Sequence, residues 1–203
     1  MTCPHCGGEK EVLSLMSANT FGGHQWSDTR SKYPMRPQLS FIQKCPHCGK
    51  YFFVDTARSR YDESKWSNLD TGELGYDESL EAYGQLYDAA TDAQRFQLCI
   101  NLLYAFNDRF YRFPEDATAE NHPNDGEKEL ARTVIGQLID LNPRGELDLL
   151  TAELYREKGD FAECLRILDA IQESLGSVRF VADQIRAHAV SGDPVVFELE
   201  FPG

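Results

Sequence analysis

The pentapeptide Cys-Pro-His-Cys-Gly occurs twice, at Cys3–Gly7 and at Cys45–Gly49. Two thiols separated by two residues can do two kinds of chemistry. One pair can cycle between dithiol and disulfide where a helix N-terminus or a cation lowers a thiol pKa. Two pairs together supply four thiolates, the complement of a closed tetrahedral structural Zn²⁺ site.

Context separates these chemistries. CPHC resembles the active site of the strongly oxidising thioredoxin-fold enzymes, where the motif opens a helix inside a βαβ unit. Here each second Cys is followed by Gly and then by strand-prone residues, with no βαβ pattern around either copy. The metal reading accounts for both copies at once, with Cys3, Cys6, Cys45 and Cys48 as ligands. Pro4 and Pro46 stiffen the knuckles, and Gly7 and Gly49 permit positive φ, so that backbone N–H groups turn toward sulfur. Cys6 and Cys45 have 38 residues between them, more than the roughly 15–20 of the commonest ribbon spacing. Loop closure cost grows only logarithmically, so a long insertion is tolerable. His5 and His47 read as solvent-facing or outer groups rather than ligands, and His24 as a surface histidine. Thiolates alone do not separate Zn from Fe. The paired CPHCG also resembles rubredoxin, a compact iron electron carrier with shorter spacing, so iron stays open as the alternative.

The elements that must position these thiols fall into two modules. Residues 1–60 are rich in Gly, Pro and short β-prone runs (EVLSL, LSFIQ, YFFV), the knuckle-and-strand pattern of a zinc ribbon. Residues 61–77 read as a polar connector, 78–193 as a helical domain and 194–203 as a short strand. From Glu78 the apolar period becomes helical, with Leu80, Tyr83, Leu86 and Tyr87 on one face. Thr91–Gln94 is a capping box for a long helix ending near Arg112. A loop over 113–125, with Pro114 and Pro123, precedes a helix that Asp125 would cap. In VVFELEF, Val195, Phe197, Leu199 and Phe201 alternate onto one strand face, whose expected partner is a ribbon strand such as FIQKC or KYFFV, with an open edge for a partner or a second copy as the alternative.

The helical domain contains a repeat. Gly159-Asp160 and Gly192-Asp193 are 33 residues apart, as are Tyr155 and His188, a period of helical-hairpin arrays. Over 147–175 the pattern resembles a tetratricopeptide (TPR) repeat. Ala152 and Tyr155 match its first helix, Gly159-Asp160-Phe161 its turn, and Cys164, Leu168 and Ile171 its second. Ala131, Ile135, Leu138 and Pro143 resemble the end of a preceding unit, although Asp148 stands where Trp is usual. The paired knuckles, the intervening WSD and the NDRF and GDF stretches together resemble uncharacterised bacterial proteins joining an N-terminal zinc ribbon to TPR-like helices. That resemblance implies a mainly α, α+β architecture rather than an activity.

Charge limits the partners. Residues 1–60 carry eight Lys/Arg against four Asp/Glu, and 61–203 carry twelve against twenty-nine. Four thiolates on one Zn²⁺ would leave the first segment at about +2. Nucleic acid is disfavoured by so acidic a helical domain, which suits a basic protein or peptide, and a nucleic-acid-associated zinc ribbon protein is the alternative reading. Trp26 and Trp66 are expected to pack the ribbon and connector, with a stacking platform at Trp26 as the functional option. Arg109 and Arg112 suit the negative end of a long helix, and Arg109 is a candidate for meeting an acidic ligand group. Cys99 and Cys164 read as small core hydrophobes. No phosphate-binding, dinucleotide, HExxH or GxSxG motif is present, so the chain reads as non-enzymatic. With a cysteine at residue 3, no leader and no run of about 18 apolar residues, the expected location is the cytoplasm, without membrane insertion.

Overall fold

The computed structural model describes residues 1–13, 15, 17–60, 72–112, 122–142 and 148–201. Trp66, Pro114 and Pro143 lie outside the described residues. The described part is mainly helical, with strands β1 (His24–Gln25), β2 (Ser31–Lys32), β3 (Ile42–Lys44) and β4 (Tyr51–Phe53). The helices are α1 (Tyr76–Leu86), α2 (Asp92–Phe110), α3 (Asp125–Leu141), α4 (Leu149–Lys158), α5 (Phe161–Ile171) and α6 (Arg179–Ser191). Strand β1 pairs with β2, and β3 with β4. Among the described residues no helix is long and apolar enough to cross a membrane. The chain divides into two compact units, Met1–Gly23 with Lys32–Leu98, and His24–Ser31 with Cys99–Gly203.

In the first unit the β3–β4 register pairs Ile42 with Phe53, Gln43 with Phe52 and Lys44 with Tyr51. Alternate residues of a strand face opposite ways, and here that divides the work of β4. Phe52 packs with Cys3 and Cys45, while Tyr51 and Phe53 pack with Ile42, Ala82, Ala90 and Leu98. The Tyr51 hydroxyl donates to Glu81 at 2.9 Å, and Lys44 Nζ lies 5.1 Å from the Tyr51 ring centroid. The predicted strand EVLSL does not form over its described residues. The first knuckle is tied instead through Thr2, whose N–H donates to Arg58 at 2.8 Å and which bridges Glu9. In α1 the buried residues are Tyr76, Ser79 and Ala82, and Leu80 is exposed. The small side chains at 79 and 82 sit at the close approach, which turns Leu80 outward. Helix α2 opens on the predicted capping box, with Thr91 N donating to Gln94 Oε1 at 3.1 Å and Gln94 N to Thr91 Oγ1 at 3.4 Å.

In the second unit α3 is capped by Asn124, one residue before the predicted Asp125, through a reciprocal box with Glu127. Helices α4 to α6 share one core of Ala152, Cys164, Ile167, Leu168, Ile171, Leu175, Ala182, Ile185 and Ala189. The two Gly-Asp pairs make the same helix end. Gly159 and Gly192 are left-handed, at φ 89° and 72°, and the next N–H reaches back in each case. Asp160 N donates to Tyr155 O at 2.9 Å, and Asp193 N to His188 O at 3.0 Å. A left-handed glycine with this backward bond is the usual way to satisfy final helix carbonyls. Asp160 then caps α5. Asp193 accepts from Val195 N at 2.9 Å, and no further helix follows among the described residues.

That run does not pair with FIQKC or KYFFV as predicted. Ser27 N donates to Phe197 O at 2.9 Å and Leu199 N to Gln25 O at 2.8 Å, around a bridge between Trp26 and Glu198. The reason lies in the helices. Val196 is buried, and Phe197 stacks on the His188 ring of α6 at 3.8 Å.

The hairpin His24–Ser31 carries the WSD motif into a buried polar network. Asp28 is fully buried and accepts from Arg112 Nη1 at 3.1 Å and Asn107 Nδ2 at 3.0 Å, with Arg112 Nη2 on its second oxygen. Its Oδ1 also takes the Arg30 N–H at 3.0 Å, closing a turn in which Thr29 has φ 71°. Arg156 and Glu153 form a second ion pair with no side-chain exposure. Between them, Glu157 accepts from Asn107 at 3.1 Å, while its other oxygen has no hydrogen-bond partner. Burial above all, then Glu153 and Asp28, push the Glu157 carboxyl well above its ordinary range.

The sign follows from linkage. The folded chain holds the Glu157 proton that the unfolded chain has released, so stability falls as pH rises from the unfolded value toward the higher folded one. Across that window the loss approaches about 1.4 kcal/mol per pH unit. Glu157→Gln is expected to flatten this slope in urea denaturation followed from pH 5 to pH 8.

Candidate metal centre

Both knuckles fold alike because their local bonds are alike. Gly7 N donates to Cys3 O at 3.0 Å and Gly49 N to Cys45 O at 2.9 Å. Cys3 N then pairs with Gly8 O, and Cys45 N with Lys50 O, each at 2.9 Å. Gly7 and Gly49 hold φ 73° and 71°, a left-handed turn that strains any residue with a Cβ. The turn aims backbone N–H groups at sulfur, from His5 to Cys3 Sγ and from Gly8 to Cys6 Sγ, both at 3.4 Å.

The four Sγ atoms of Cys3, Cys6, Cys45 and Cys48 lie within 4.8 Å of one another. Cys6 and Cys45 approach to 3.6 Å, and Cys3 and Cys48 to 3.9 Å. Sulfurs about 2.3 Å from a tetrahedral ion sit about 3.8 Å apart, so these positions can hold a metal ion. Among the described residues they form the one His, Cys, Asp or Glu grouping of that kind. Cys3 and Cys45 are buried, and Cys6 and Cys48 face solvent.

The thiols do not share their protons evenly. Burial opposes ionisation of Cys45, yet N–H groups of Cys48 and His47 and the Cys3 and Cys48 thiols bring it down to about 6. At Cys6 the Gly8 N–H favours the thiolate, but burial and the neighbouring sulfurs push it up to about 12. A dication satisfies all four at once, since binding releases the protons that the cluster otherwise holds.

The knuckle histidines are cross-ties. His5, in the first knuckle, contacts Tyr51 O just beyond the second at 3.1 Å. His47, in the second, contacts Glu9 O just beyond the first at 2.9 Å. A carbonyl only accepts, so each Nε2 is the donor and cannot also face a metal. The His47 ring lies over Gly8, where an added Cβ would come within 2.4 Å of it. Each bond contributes about 1 kcal/mol, and losing both should speed metal release. His5→Ala with His47→Ala is expected to leave metal content unchanged but to speed transfer of a bound metal to a chelator by up to about thirtyfold.

Trp26 and Arg109 belong to the other unit. Trp26 is 5% exposed, and the guanidinium of Arg112 lies 4.6 Å from its ring. Its face is therefore covered by its own chain and is not an open stacking platform. Arg109 is exposed in the last turn of α2, over Phe110 at 4.9 Å. Cys99 and Cys164 are buried, and burial pushes each thiol up to about 12, so neither is a ready thiolate. The Asp28–Arg112 pair is not legible in the sequence. Its signal was the Asp of WSD inside an aromatic, glycine-rich stretch, but nothing local names a cation 84 residues away. Compared with family models, with curated proteins and with solved structures, the chain matches none of them.

Proposed function

We propose that this chain is a non-enzymatic zinc-binding interaction protein. A structural Zn²⁺ on Cys3, Cys6, Cys45 and Cys48 would hold the knuckles, and TPR-like helices would bind a protein or peptide in the cytoplasm. The observation that carries this is the set of four sulfurs within 4.8 Å. Strands of three residues, β3 and β4, bury too little to stand alone, which favours a metal that contributes folding free energy. The TPR-like reading, and with it the likeness to ribbon-plus-repeat proteins, is supported by the α4–α5 hairpin and the identical helix ends 33 residues apart. The excess of twenty-nine Asp/Glu over twelve Lys/Arg in residues 61–203 suits a basic partner.

Elemental analysis of protein purified without added metal tests the metal reading, alongside thiol counts before and after chelation. One zinc per chain, with four thiols masked until chelation, is the expected result. Iron with visible absorption would replace it with an electron carrier, and no metal with readily reduced disulfides would overturn it.

A further inference from the structure

The segment following α6 is held as a bound peptide would be. The carboxamide of Gln184 on α6 clasps the backbone of one residue, Nε2 donating to Glu200 O and Oε1 accepting from Glu200 N, each at 2.9 Å. Arg156 on α4, itself buried, donates to the carbonyls of Asp193 and Val195. These contacts read main chain, not side chain. Two aromatic anchors flank them. Phe197 lies between the His188 ring at 3.8 Å and the Arg156 guanidinium at 5.0 Å, and Phe201 packs edge-on against Phe180 at 5.2 Å. Asp193 meets His188 of α6 at 2.9 Å, but the carboxylates of Glu198 and Glu200 are not used by the helices. Glu200 is exposed, and Glu198, half-exposed, meets His24 at 2.6 Å. On its other edge the segment adds to the backbone of Gln25 and Ser27 through a single bridge rather than a strand ladder.

We propose that the α4–α6 face, with the Gln25–Ser27 edge, is a cleft for an extended peptide bearing aromatic residues four apart, and that residues 194–201 occupy it in cis. The cleft takes its ligand by strand addition to an edge, with pockets for spaced side chains supplying the selection. The cis segment regulates it, because a cleft open only a fraction of the time binds an incoming peptide more weakly by that fraction. This rests on the reading of the helices as a peptide-binding repeat and is independent of the metal.

The test uses a fluorescent synthetic peptide of residues 193–201 and the full chain. Phe197→Ser with Phe201→Ser weakens the cis copy and leaves the helices untouched. That variant is expected to bind the peptide at least about tenfold more tightly than the unmodified chain. Adding Gln184→Leu should abolish the gain. A variant with unchanged helical circular dichroism that binds no better than the unmodified chain overturns the proposal. Should the variant fail to fold, hydrogen exchange on the unmodified chain decides. Amides of Phe197, Leu199 and Glu200 that open well ahead of those in α5 support a separable ligand. Exchange at the α5 rate makes the segment part of the core and overturns it. Metal content measured on the same samples keeps a failure here distinct from a failure of the zinc reading.

Discussion

Cys45→Ser is expected to reduce metal content below one per chain and to abolish protection of the β3–β4 amides. Cys45 is 1% exposed and packs with Cys3 and Phe52, so it is both a candidate ligand and the floor of the four-sulfur cluster. Apparent binding free energies for structural zinc run to about 10–16 kcal/mol, comparable to the whole stability of a typical domain. Three paired residues per strand do not replace that contribution. Hydrogen exchange at Ile42–Lys44 and Tyr51–Phe53, with elemental analysis, reads both effects. Cys99→Ser is the control: that thiol is buried, donates to Gln137 at 3.4 Å and is no ligand, so metal content should not change. Retention of full metal and full protection by Cys45→Ser would remove the structural-metal reading.

The second large effect belongs to the WSD hairpin. Asp28→Ala is expected to destabilise the chain by about 3–5 kcal/mol, since removing one member of a buried pair leaves the other charge uncompensated. Here Arg112 keeps Asp108 but loses the fully buried carboxylate, and Asn107 loses one of its two acceptors. Arg112→Met should cost a similar amount. The double variant should cost less than the two single ones summed, because both buried charges have then gone. Urea denaturation of the four proteins measures the coupling, and added salt should change it little, since screening acts mainly on exposed charges. Additive losses would mean that Asp28 and Arg112 act separately.

These two sites differ in how far they can be read from sequence. The knuckles are legible because the backbone bonds that close each turn span five residues or fewer, and spacing alone puts two sulfurs at each turn. The helices are legible from their apolar period, and the box at Thr91–Gln94 and the Gly-Asp ends are equally local. Asn124 capping α3 in place of Asp125 is a one-residue displacement within the same local chemistry.

Three features follow no local rule. EVLSL has strand propensity but forms no strand over its described residues, and Thr2 makes the tie to Arg58. Leu80 fits the apolar period but faces solvent, because Ser79 and Ala82 permit the closer packing. VVFELEF alternates as a strand should, and pairs with Gln25–Ser27 because Phe197 stacks on His188. By itself, then, the sequence determined the two cysteine knuckles, the helices and their ends, since those depend on neighbours within a turn or two. The tertiary structure decided that Trp26 and Asp28 leave the cysteine-bearing unit for the helical one, and that the final extended segment is held there. A buried carboxylate is stable only beside its cation, and burial selects that partner without regard to distance along the chain.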